Sequence, residues 1–132
     1  AKRDYERTPP KPFVLLESAY EGERDASRQR IREQAWWAML SGAAGHALGS
    51  KAIYLMDADW PRHLDSPAVR DLEVLLRLLE NYAWWRFKPD FDARCVAGDR
   101  GTFSDTTDPA LGHDYVVAAC DESRGLALAY VN

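Results

Sequence analysis

Apolar residues follow three different rhythms along this chain, and each predicts a different element. The uninterrupted run Phe13-Val14-Leu15-Leu16 reads as a central parallel strand covered on both faces, where no alternation is needed. It ends on Glu17 and passes into the polar, aromatic stretch Ser18-Ala19-Tyr20-Glu21-Gly22-Glu23. Over about 27–41 the period becomes helical, with Ile31, Ala35, Ala38 and Met39 on one face and Trp36 and Leu40 widening it. Asp25 or Ser27 is placed to cap its first turn. Gly42-Ala43-Ala44-Gly45 stops the helix, because glycine accepts the left-handed backbone of a helix end. His46 to Leu48 reads as the next short strand. Strand, helix, strand is βαβ order, and in a (β/α)8 barrel the chemistry sits where strands end.

Residues 51–65 read as a long loop carrying Tyr54, Asp57, Asp59, Trp60 and His63. A second helix starts at Ser66 as cap and Pro67 in the first position, with Val69, Leu72, Leu75, Leu76, Leu79 and Tyr82 as its seam. After about residue 90 the helical period is lost. Strand-like runs then cover 94–97, 115–120 and 126–131, with a polar loop over 98–113 and Asp121 to Gly125 as a hairpin connection. The boundary divides the chain into 1–90 and 91–132, and a second unit of two or three strands is incomplete as a sandwich.

Composition narrows the class. With 132 residues the chain is too short for a complete barrel, which needs roughly 250. A net charge of −4 gives no basic footprint for nucleic acid. Arg24, Arg28, Arg30 and Arg32 cluster, but acids lie among them and the group reads as a solvated helix face. No apolar stretch is long enough for a membrane span, and no phosphate loop, zinc signature or nucleophile elbow implies a cofactor. Cys95 and Cys120 form either one disulfide or two buried thiols.

Several stretches together resemble the apiosidase-like glycoside hydrolases, a TIM-barrel family often followed by a β-sandwich. Glu17-Ser18-x-Tyr20-Glu21-x-Glu23 is similar to the family's acid-bearing seventh strand and loop, although many relatives have proline where Ser18 stands. Arg32-x-Gln34-Ala35-Trp36-Trp37-Ala38-x-Leu40-Ser41-Gly42-Ala43-Ala44-Gly45-His46 resembles the next helix and eighth strand. Trp60 with Leu64, and Trp84-Trp85-x-Phe87-x-Pro89-Asp90, resemble the closing segments of the barrel, and Tyr115 to Tyr130 the first hairpin of the sandwich. The resemblance implies an α/β fold made of the last two βα units of a (β/α)8 barrel and the first strands of a sandwich. It also implies a carbohydrate substrate and a periplasmic or secreted location.

Glycoside hydrolysis needs two carboxyl groups, and only one is in place here. Glu17 stands where a nucleophile belongs; its rival reading is a buried acid paired with arginine. Tyr20 is placed to hydrogen-bond Glu17, and Glu21 to bind sugar hydroxyls or to form a salt bridge at the helix start. His46 is placed to hold a substrate hydroxyl at the barrel mouth or to be a satisfied structural histidine. Trp60 offers a face for sugar stacking. Trp36, Trp37, Trp84 and Trp85 read as packing residues, Glu23 as a solvated charge, and His63 and His113 as surface loop residues. Asp57 and Asp59 suggest calcium only weakly. The alternative function is a non-catalytic carbohydrate-binding or interaction module that self-associates through open strand edges, and a third is a degenerate barrel kept as a scaffold.

Overall fold

The computed structural model describes residues 1–24, 26–102 and 114–131, which form a mixed α/β structure with two small sheets. A single helical turn, α1 (Lys2–Tyr5), precedes β1 (Val14–Leu15), the long helix α2 (Arg28–Leu40) and β2 (Gly45–His46). β1 and β2 pair in parallel, Val14 opposite Gly45 and Leu15 opposite His46. A parallel pair needs a crossover, and α2 supplies it. Ser27 caps α2 by accepting the Arg30 N–H at 3.1 Å. Gly42 turns the chain out of the helix at φ +87°, and a Cβ there would run into the Tyr5 ring.

Both strands are shorter than the apolar pattern suggests. Val14 and Leu16 are 48% and 64% exposed, so the expected cover on both faces of β1 is missing. Among the described residues β1 has one strand partner, β2. Residues 51–65 are more ordered than a loop. They hold the short helix α3 (Lys51–Leu55) and a 3₁₀ turn over Trp60–Asp65.

Helix α4 (Pro67–Glu80) begins as the sequence predicts, with Ser66 accepting the Val69 N–H at 3.3 Å. Its seam is divided. Leu75 and Leu79 are buried with Ala35 of α2, but Leu76 is 56% exposed. Two members of the arginine cluster clamp α4 to α2 rather than face solvent alone. Arg28 grips Asp71 with Nε at 2.8 Å and Nη2 at 2.6 Å, and Arg32 Nη1 reaches the same carboxylate at 3.3 Å. The Arg28 hydrogen bond outweighs burial and holds the Asp71 carboxyl below the usual carboxylate range.

A three-stranded antiparallel sheet follows, in the order β3 (Lys88–Pro89), β4 (Val117–Asp121), β5 (Leu126–Tyr130). Lys88 and Pro89, ahead of the residue-90 boundary, pair with Cys120 and Ala119. The run 94–97, expected as a strand, forms bends instead. The sheet packs on α2: Leu40 is buried with Val117, Ala119 and Tyr130, and Trp36 stacks on Tyr130 at 5.3 Å between ring centroids. Trp37 and Trp84 also pack, whereas Trp85 is 71% exposed and touches the edge of Trp84. Trp85 is therefore not a core residue.

Asp90 organises the connection after β3. Its carboxylate accepts N–H groups of Arg94 at 2.7 Å and Val96 at 3.0 Å, with Cys95 beside them, and the Arg100 guanidinium pairs with it. Of the two cysteine readings, the structure has the disulfide, Cys95 to Cys120 across 25 residues of sequence.

Removing that crosslink with Cys95→Ser and Cys120→Ser should destabilise the protein by about 3 kcal/mol through regained loop entropy. An unchanged urea midpoint would contradict this. Burial opposes ionisation of Asp90, but the Val96 and Arg94 N–H groups, Arg100 and the Cys95 N–H together hold its carboxyl below the usual range. A depressed carboxyl contributes its full stability above its unfolded value of about 3.9 and loses it as pH falls toward the folded value. Thermal melts of Asp90→Asn should accordingly show a shallower loss of stability below about pH 4 than wild type.

Candidate functional site

The segment carrying Glu17 leaves the parallel pair and then returns to it. Pairing holds at Leu15, whose carbonyl accepts the Ala47 N–H at 2.9 Å. It resumes at Glu21, which bridges Ser50 in parallel through Glu21 N–H to Gly49 O at 2.9 Å and Lys51 N–H to Glu21 O at 3.0 Å. Between these points residues 16–20 bow outward, and Glu17 is exposed. Among the described residues no arginine forms an ion pair with it, and Tyr20 is an interacting neighbour.

Partial burial, then the charge and hydrogen-bonding reach of the Glu17 carboxylate, raise the Tyr20 phenol above its ordinary value. The ring lies over Gly49, where a Cβ would collide with it, and meets Tyr54 edge-on at 6.2 Å. Tyr54 itself is 61% exposed. An acid at a strand end, a phenol beside it and a second aromatic wall thus stand together.

Glu21 and Ser50 oppose each other in the returning bridge, and Ser50 is only 5% exposed. Among the described residues Glu21 Oε2 and Ser50 Oγ are both buried without a hydrogen-bond partner, as is His46 Nε2. Such groups are costly to bury unpaired and mark places where a polar partner is welcome. Among the described residues Glu21 forms no salt bridge. His46 lies on β2 and lines an apolar groove of about 500 Å³ with Met39, Leu72, Leu79 and Trp84. Burial pushes its imidazole below the ordinary value, so it is neutral.

Trp60 opens the 3₁₀ turn after α3 and is half-buried. Asp57 spends a carboxylate oxygen on its own turn, accepting the Asp59 N–H at 3.0 Å. Among the described residues the one acid–thiol cluster tight enough for a metal is Asp90, Cys95 and Cys120, and its sulfurs are joined in the disulfide. His63 is half-buried in the turn, Glu23 is likewise half-buried, and His113 and Asp25 lie outside the described residues.

Three residues to which the sequence assigns no site role belong to this neighbourhood: Ser50, Tyr54 and Gln34. Gln34 left a signal. It lies in the stripe Ile31, Gln34, Ala35, Ala38, where a polar group must find partners to be buried. It finds them beside Glu17, on Ser18 and Ala19.

A family model described as "Apiosidase-like, catalytic domain" matches residues 1–86. No curated protein and no solved structure matches the chain. The matched range spans β1 through α4 and includes Glu17, Tyr20, Glu21, His46 and Trp60. The chain belongs to the apiosidase-like catalytic domain family, a glycoside hydrolase family.

Proposed function

We propose that residues 1–90 are the last two βα units of a (β/α)8 glycoside hydrolase and that residues 91–132 begin a β-sandwich. Glu17 is its nucleophile. The observation carrying this reading is the carboxylate itself: exposed, at the end of a parallel strand, with a tyrosine as its neighbour rather than an arginine. Ionised, it attacks the anomeric carbon or stabilises an oxocarbenium-like transition state, while a partner acid outside this chain protonates the leaving oxygen. Tyr20, whose phenol is within reach of the Glu17 carboxylate, orients it. Glu21 and neutral His46 offer free polar atoms to sugar hydroxyls, and Trp60 a face for ring stacking.

In the longer protein that carries both acids, Glu17→Gln should lower turnover of its glycan by roughly three orders of magnitude or more, at nearly unchanged KM. Ordinary turnover by that variant would refute the assignment. The 132-residue chain alone should be inactive.

A second reading rests on the open surfaces. The groove beside β2, with Val74 and Leu76 exposed on α4, fits an interaction module that pairs with another chain. Light scattering decides: a monomer mass that does not change with concentration counts against it.

The lowered pKa of His46 also has a thermodynamic reading. Below about pH 6.5 the unfolded chain takes up a proton that the folded imidazole refuses, so stability falls as pH drops through this window. Urea midpoints between pH 7 and 5 should fall in wild type and fall less in His46→Gln. Equal slopes would show that burial does not perturb the ring.

A further inference from the structure

Where β1 stops pairing with β2, a side chain takes over the role of strand partner. Gln34 is 7% exposed on α2, and its carboxamide meets both polar groups of residue 19. Oε1 accepts the Ala19 N–H at 3.0 Å, and Nε2 donates to the Ala19 carbonyl at 2.8 Å. The same Oε1 accepts the Ser18 hydroxyl. An amide that gives and receives across one residue reproduces what a neighbouring strand supplies in a ladder. It does so inside the bowed segment, between the pairings at Leu15 and Glu21.

We propose that Gln34 is a positioning residue for Glu17: its carboxamide substitutes for the strand partner that residues 18 and 19 lack, and so fixes the direction in which the Glu17 carboxylate leaves β1. Glu17 is exposed and is not held by packing of its own. Its aim is set by the backbone on either side. On the N-terminal side that backbone is β1, and on the C-terminal side it is the peptide clamped by Gln34. Tyr20 follows directly and is seated between Gly49 and Tyr54, so the clamp also sets the Glu17–Tyr20 pairing. The catalytic consequence rests on Glu17 being the nucleophile; the positioning does not. A nucleophile misplaced by about 1 Å loses on the order of a hundredfold in rate.

The test uses three variants: Gln34→Met keeps the volume and removes all three bonds, Gln34→Glu keeps the acceptor, and Ser18→Ala removes the hydroxyl alone. The first readout is the Tyr20 phenol titration by NMR in the 132-residue chain, with folding checked on signals from the C-terminal sheet. Expected is a drop of the Tyr20 value toward that of an ordinary tyrosine in Gln34→Met, and a smaller drop in the other two. In a Glu17→Gln background, adding Gln34→Met should change it little further. The second readout is the full-length protein, where Gln34→Met should lower kcat on the order of a hundredfold with KM nearly constant. A folded Gln34→Met with native Tyr20 titration overturns the proposal, even if Glu17→Gln is inactive. A shifted titration together with full activity of Glu17→Gln upholds the positioning and removes the nucleophile reading. If Gln34→Met fails to fold, a further variant, Gln34→Leu, decides, because it too removes all three bonds; an unmoved Tyr20 value in it then overturns the proposal.

Discussion

From Ile31 to Leu40 helix α2 has no exposed residue, and the rest of the structure depends on that burial. Ile31, Ala35 and Ala38 are almost fully enclosed, and so are Glu33 and Gln34. One flank meets Leu75 and Leu79 of α4, another the sheet residues Val117, Ala119 and Tyr130, and Gln34 meets the segment after β1. Each contact is of a different kind. Apolar area joins α2 to α4 and to the sheet, the Arg28–Asp71–Arg32 group fixes the angle to α4, and an amide fixes the loop. A helix so enclosed cannot show the narrow apolar stripe of a surface helix, because its polar residues have inward tasks as well.

Local signals in the sequence were read correctly where the physics is local. Ser27 and Ser66 cap their helices, Pro67 opens α4, and Gly42 ends α2, since each effect needs only neighbouring backbone. Strand extent was less legible, because a strand exists only where a partner pairs with it; Phe13 and Leu16 lie outside the two residues that do. Trp85 misled because aromatic character says nothing about which way a side chain faces. The arginines misled for a related reason: Asp71, 43 residues beyond Arg28, is their partner, and no spacing rule links such distant positions. Glu17 and Tyr20 were legible as a pair because they share one short segment. Ser50 and Tyr54 were not, since they reach the site only through the returning bridge.

The site combines wet and dry polar groups. Glu17 and Tyr54 are exposed, whereas Glu21 Oε2 and Ser50 Oγ are enclosed without partners among the described residues. Protein interiors rarely keep such groups idle. A group that both donates and accepts would satisfy either atom.

Tyr130 joins β5 to α2 twice, stacking on Trp36 and accepting a hydrogen bond from Arg32 Nε at 3.0 Å. Gln34 lies on α2 between Arg32 and Trp36, so the last strand and the segment after β1 grip the same stretch of helix from different sides. The C-terminal sheet therefore buttresses the stretch of α2 from which Gln34 reaches Ser18 and Ala19.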